Sequence, residues 1–234
     1  MARLSRLAIP GEVHHLIQRG HDQQPIVRDD EDRRAFVDAL RECAALHKVA
    51  IHAYVLMDNH LHLLATPPAP ESLSRMMQSL GRRYVARFNR RHQRSGGLWE
   101  GRFRAAPLEP SWLLSCMRYI ELNPQRSGLV ERPEAYAWSS AAHHLGAVRD
   151  PLVHDHAGFW AMGNTPFERD ANYRRYLEEG SSPEEMEALL AAALRGWPLG
   201  SPAYRAQLAK QTDRPLAPRP RGRPPRQVNK TVPN

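Results

Sequence analysis

The apolar positions of this chain change period along its length. Glu12-Val13-His14-His15-Leu16-Ile17-Gln18-Arg19 reads as a first strand, closed by Gly20 and a polar turn. Asp29 and Asp30 can cap a helix from about Glu31 to His47, with Phe36, Leu40 and Cys43/Ala44 at helical spacing. Val49–Leu56 is strand-like, Asp58-Asn59 makes a two-residue break, and His60–Ala65 reads as the next strand, stopped by Pro67-Pro68-Ala69-Pro70. Ser72 opens a long helix to about His92, with Leu73, Met76/Met77, Leu80 and Tyr84 on one side and arginines on the other. After Gly96-Gly97, Trp99–Leu108 is expected to be extended, and a helix begins at Pro110-Ser111 that Pro124 ends.

This β-α-β-β-α-β order predicts an α+β fold, a ferredoxin-like antiparallel sheet with helices packed on one face. From about Asp150 the pattern turns helical, with a hairpin at Phe167–Leu177 and Pro183–Leu194 and a third helix at Ser201–Lys210. The expected division is a catalytic domain over 1–148, a small helical C-terminal region over 149–212 and a basic tail over 213–234. Arg214–Asn234 holds six basic residues, no acidic one and several prolines, a composition expected to stay disordered.

Charge narrows the partners. The net charge is +8 over 234 residues, which favours a polyanion. No apolar run approaches the roughly 20 residues of a membrane span, and no amphipathic anchor stands out, so nucleic acid is the better fit and no membrane partner is expected. The first residues lack the apolar core of a secretory signal, which points to the cytoplasm and, with DNA as partner, to the nucleoid. Cys43 and Cys116 are the only cysteines and sit in apolar helical contexts, too few for a disulfide framework or a cysteine-based zinc site.

His60 and His62 are the first chemical candidates. On a strand, residues two apart face the same side, so both imidazoles can converge on one metal while Leu61 and Leu63 pack on the opposite face. On a helix they would lie about 200° apart. The competing reading is two ordinary, partly buried histidines. His154-Asp155-His156 has the same spacing but lies in a polar stretch beside Pro151, where it reads as a solvated loop. The helix Trp112–Asn123, with Leu113, Met117 and Ile120 as its buried stripe, carries Tyr119 and Asn123 as i,i+4 neighbours on one flank. They can present a phenol and an amide together, or be a boundary tyrosine and a capping asparagine.

Three blocks bear on that choice: Tyr54-Val55-Leu56-Met57-Asp58-Asn59-His60-Leu61-His62-Leu63-Leu64, Leu98-Trp99-Glu100-Gly101-Arg102-Phe103 and Met117-Arg118-Tyr119-Ile120-Glu121-Leu122-Asn123-Pro124. In this order and spacing they resemble the REP-associated tyrosine transposases, relatives of the single-tyrosine insertion-sequence transposases in the His-hydrophobic-His endonuclease superfamily. The similarity runs from near His14 through Trp138-Ser139-Ser140. The resemblance implies that Tyr119 is the nucleophile, that His60 and His62 bind a divalent metal, Mg²⁺ or Mn²⁺, and that Asn123 stands where the third ligand would be. Closer insertion-sequence relatives often carry glutamine there, so this ligand is one methylene shorter. The implied activity is cleavage and rejoining of single-stranded DNA hairpins of palindromic repeats through a 5′-phosphotyrosine, by a monomer or a homodimer. The rival within the family is a catalytically silent regulator that binds hairpin DNA. A histidine-triad nucleotide hydrolase would need a further histidine where Leu64 stands.

Arg82, Arg83, Arg87, Arg90 and Arg91 on the long helix, and Arg102 and Arg104 on the extended segment, are candidates for gripping phosphates; a solvated basic face is the alternative. Trp99 and Phe103 are candidates for stacking on unpaired bases or for ordinary packing. Arg221-Gly222-Arg223-Pro224 resembles the core of an AT-hook, with Arg221 and Arg223 entering a narrow A·T minor groove.

Overall fold

The computed structural model describes residues 5–218. Strands β1 (Val13–Arg19), β2 (Ala50–Leu56), β3 (His60–Thr66) and β4 (Arg104–Leu108) form one antiparallel sheet in the order β2-β3-β1-β4. Helix α1 (Asp30–Leu46) joins β1 to β2, and α2 (Ser72–Arg91) joins β3 to β4. This is the α+β, ferredoxin-like arrangement that the periodicity predicts. Leu16, Leu61, Leu63 and Ala65 pack with Phe36 and Leu40 of α1 and with Leu80 and Tyr84 of α2 in one core. The alternate residues Val13, Ala53, Val55 and Leu64 belong to a second core on the opposite face. Gly20 ends β1 where any side chain would run into the carbonyl oxygen of Gln24.

Two elements differ from expectation. The segment after Gly97 is not one strand: Trp99 makes an isolated bridge to Gly20, and regular pairing begins at Arg104. Gly101 lies between them at φ 153°, a conformation that side chains rarely adopt, so the chain bends there and Arg102 does not share a strand with Arg104. The helix before Pro124 is also divided. α3 spans Leu113–Glu121, and the single turn α4 (Asn123–Arg126) starts anew with Pro124 in its first turn, where the missing N–H costs nothing.

The second core is roofed by α3 and the C-terminal helices. After the single turns α5 (Ala141–His144) and α6 (Ala157–Trp160) come α7 (Pro166–Glu178), α8 (Pro183–Arg195) and α9 (Pro202–Leu208), matching the predicted hairpin and third helix. Cys116, Met117 and Ile120 of α3 pack with Phe159, Tyr173, Leu177 and Leu189. α8 has strong end signals: Ser182 and Glu185 form a capping box, and Gly196 closes the helix at φ 71°. Within this core Glu121 is fully buried. Its carboxylate accepts from Ser140 Oγ, from His144 Nδ1 at 2.6 Å and from the Tyr173 hydroxyl at 2.7 Å, tying α3 to α5 and α7.

His154-Asp155-His156 is a loop, as its composition suggests, with His154 exposed, but it is pinned to the sheet margin and to α6. The His154 N–H donates to Ile51 O at 2.7 Å, His156 caps α6, and its ring packs edge-on against His52. His154 pairs with the edge of the sheet through its backbone and Asp155 contacts His143, partners that no local pattern announces. Similar additions run along both outer strands: Leu56 and Ser140 N–H groups pair across β2, and Leu199 exchanges bonds with Pro107 and Glu109 beside β4.

The C-terminus of α2 docks on the N-terminus of α1. Arg91 bonds Asp29 and Asp32, and His92 Nε2 contacts Asp32 Oδ2 at 2.8 Å, so opposite charges meet at opposite helix ends.

Burial lowers the pKa of both His14 and His52 from 6.5 to about 4. Both rings are held neutral: His14 Nδ1–H donates to Glu12 O while Nε2 accepts from Ile9 N–H, and His52 donates to His154 O while accepting from Thr66 Oγ1. Unfolded imidazoles bind protons that these native ones refuse, so their contribution is complete above pH 6.5 and lost as the pH falls towards 4. Urea denaturation as a function of pH should show stability falling through that window. Glu121→Ala strands three buried donors and should lower stability by about 3 kcal/mol or more in the same assay.

Candidate functional site

Period-two alternation on β3 puts His60, His62 and Leu64 on the face that α3 covers, with Leu61 and Leu63 in the opposite core. The two imidazole centroids are 5.0 Å apart. α3 brings Tyr119 onto them: its ring meets that of His62 edge-on at 5.5 Å between centroids. Asn123 lies one turn further, at the start of α4. These four predicted residues line one cleft of about 440 Å³, together with Arg19, Arg126 and Ser127, and with Met186, Glu187 and Leu190 from α8.

Hydrogen bonds orient both histidines. His60 Nδ1 donates to Asn59 Oδ1 at 2.7 Å, and the Asn59 amide donates to Gln23 O, which fixes which end of that amide accepts. His62 Nδ1 is 2.8 Å from Nε2 of His15, a fully buried residue of β1. In each case Nδ1 is engaged and Nε2 carries no hydrogen bond from a described residue. Burial lowers the His60 pKa to about 4, with Arg19 adding to the effect, and holds His62 well below 6.5, with His15 and His60 adding. Two neutral imidazoles with open Nε2 atoms beside an amide are a donor set that could hold a divalent cation, and its nitrogen content suits Mn²⁺ better than Mg²⁺.

Tyr119 is 8% exposed, and its hydroxyl takes no hydrogen bond from a described residue. Burial raises its pKa; Arg126 and Arg19 oppose that rise. The Arg126 guanidinium lies 4.7 Å from the Tyr119 ring centroid and donates to the Tyr119 carbonyl at 2.6 Å. Arg19, Arg126, His15 and Glu187 were absent from the sequence candidates. Arg126 follows Tyr119 by seven residues, the same helical flank, and could have been read from spacing. Arg19 and His15 needed the β1–β3 register, and Glu187 needed the packing of α8.

The predicted phosphate-gripping arginines are distributed over several parts of the surface. Arg82 and Arg102 line a groove of about 760 Å³ between α2 and the bend before β4, together with Gln78, Trp99 and Phe103. Arg83 and Arg87 pair with Glu42 and Glu31 of α1. Arg90 is exposed at the end of α2. Arg104 donates to Leu194 O at the end of α8 and shares a second cleft, of about 280 Å³, with Arg102 and Arg19. Trp99 packs edge-on to Phe36, and Phe103 is buried beneath the Arg6 guanidinium at 3.8 Å, so both aromatics are engaged in packing. Arg221 and Arg223 lie outside the described residues.

A second cluster, His143, His144 and Asp155, has metal-ligating atoms within 4.8 Å of one another. His143 Nδ1 accepts the Asp150 N–H at 3.0 Å, so in the neutral ring Nε2 carries the hydrogen and donates to Asp155 at 3.1 Å. That bonding occupies the nitrogen a metal would use.

Among the described residues no helix is long and apolar enough to cross a membrane. The family described as "Transposase IS200 like" matches residues 12–123, the stretch from β1 to Asn123. In the comparison of solved structures, a REP-associated tyrosine transposase bound to a REP hairpin is similar at a TM-score of 0.53 and 14% identity, covering 67% of this chain and 93% of that one. A putative transposase from Deinococcus radiodurans R1 matches at a TM-score of 0.36 and 20% identity, covering 52% of this chain and 93% of that one. The first of these supports a shared fold; the second carries no structural argument. No curated protein matches the chain.

Because the Tyr119 hydroxyl supports no hydrogen bond to a described residue, Tyr119→Phe should leave folding stability within about 0.5 kcal/mol of wild type in thermal or urea melts.

Proposed function

We propose that this chain, whose residues 12–123 match the IS200-like transposase family, is a metal-dependent single-stranded DNA endonuclease and strand transferase. It cleaves hairpins of palindromic repeat DNA and rejoins strands through a 5′-phosphotyrosine. The observation that carries the reading is the meeting of Tyr119 with His60, His62 and Asn123 in one cleft, with both histidine Nδ1 atoms tied away from it. In this reading residues 1–148 carry the chemistry, 149–212 form the helical region that borders the cleft, and 213–234 are a basic DNA-binding tail.

The chemistry answers two obstacles. A phosphodiester is anionic and repels nucleophiles, and a phenol with a pKa near 10 is scarcely ionised at neutral pH. A divalent cation held by His60, His62 and Asn123 would polarise a non-bridging phosphate oxygen and orient the scissile phosphate. Tyr119 gives up its proton and attacks phosphorus in line. The new bond is from the phenolic oxygen to phosphorus, the bond to the 3′ oxygen breaks, and that oxygen leaves as a 3′-OH. Arg126 and Arg19 favour the phenolate against the burial that opposes it and put positive charge beside the DNA phosphate. One phosphoester replaces another, so a second 3′-OH can reverse the step and join strands. Arg82 and Arg102 offer the substrate's flanking phosphates a basic groove.

Incubation of the protein with a labelled single-stranded hairpin and Mn²⁺ should give a covalent adduct whose mass maps to Tyr119. Tyr119→Phe should give none. His60→Ala should abolish metal-dependent cleavage while retaining most hairpin binding. Equal product from Tyr119→Phe and wild type would remove tyrosine from the reaction; tight hairpin binding without product in wild type would favour the silent regulator.

A further inference from the structure

His15 is a fully buried histidine that the reaction above does not use. It sits on β1 opposite Leu64, so its side chain shares the sheet face of His62. Its ring stacks on His62 with centroids 5.1 Å apart and meets Tyr119 edge-on at 5.8 Å. Nε2 of His15 is 2.8 Å from Nδ1 of His62. At the other side of the ring, His15 Nδ1 is buried and makes no hydrogen bond to a described residue. α8 packs directly against β1 and β4.

The direction of this bond follows from what His62 must offer a cation. A neutral imidazole that ligates through Nε2 carries its hydrogen on Nδ1. His62 Nδ1 then donates across the 2.8 Å contact, and His15 keeps its own hydrogen on Nδ1. In the neutral ring Nε2 is then an acceptor, so the hydrogen between the two histidines belongs to His62 Nδ1. That leaves the lone pair of His62 on Nε2, the remaining nitrogen of a ring that lines the cleft. His60 reaches the same state by a different route, through Asn59.

We propose that His15 is a positioning residue: its Nε2 accepts the Nδ1–H of His62, a relay that locks the His62 tautomer and ring orientation so that Nε2 is presented to a divalent cation. This deepens the metal-dependent reading above and rests on it. Outer-shell partners of this kind commonly set metal affinity by 10–100-fold.

The test uses the full chain and Mn²⁺ as the probe. Histidine ¹⁵N–¹H correlation spectra of the metal-free wild type should show His62 in the Nδ1–H form; a predominant Nε2–H form would overturn the relay without any variant. Mn²⁺ titration followed by electron paramagnetic resonance should then show His15→Phe, which keeps a stacked ring but cannot accept, binding Mn²⁺ about 10–100-fold more weakly. Hairpin affinity without metal should be unchanged. His15→Gln, whose side-chain carbonyl can accept, should recover at least part of the loss. If His15→Phe does not fold, the wild-type spectra and His15→Gln decide. Wild-type Mn²⁺ affinity in His15→Phe, with binding lost in His62→Ala, would overturn the relay alone. Unchanged affinity in His62→Ala as well would overturn the metal reading and the relay with it.

Discussion

β3 is hydrogen-bonded on both sides, and its register against β1 and β2 is the constraint from which the site follows. His62 lies opposite Ile17 on one side and Val55 on the other, while Leu61 and Leu63 fill the core beneath α1 and α2. A slip of one residue would drive His60 and His62 into that apolar core and turn the leucines towards Tyr119. The burial of Leu61, Leu63 and Ala65 thus opposes any such slip. The same registration sets His15 beside His62 and Arg19 opposite His60, so a packing requirement and a chemical arrangement are met by a single alignment.

Much of this was legible in the sequence because it is local. The alternation His60-Leu61-His62-Leu63 announces a strand with two unlike faces, and Leu113, Met117 and Ile120 announce the buried stripe of α3, which fixes the flank of Tyr119. What was not legible depends on distant partners. Asp29 reads only as a helix cap, and its pairing with Arg91, like that of Glu31 with Arg87, appears once α2 lies beside α1. Glu121 reads as a helical surface residue; Ser140, His144 and Tyr173 make it a buried acceptor. The bend at Gly101 was signalled by the glycine, but extended residues on both sides concealed it.

The basic excess of the chain is accordingly unevenly available. Arg87 and Arg83 of α2 pair with Glu31 in the first turn of α1 and Glu42 near its last, a fold-stabilising use at modest energies for exposed pairs. Arg82 and Arg102 line a groove on the opposite flank, Arg19 and Arg126 line the Tyr119 cleft, and Arg19 and Arg102 share a further cleft with Arg104. Counting arginines along the helix overstates one continuous surface on α2.

Trp138, Ser140 and His154 cover β2, and Leu199 covers β4. Strands at a sheet margin are ordinarily templates onto which another chain can add. Here the protein's own short segments occupy stretches of both margins, so a second molecule could not zip strand to strand along them without first peeling those flaps away. Self-association of this chain is thereby steered towards contacts between side-chain surfaces, and partial unpeeling of either flap would be the step that exposes it to edge-wise aggregation.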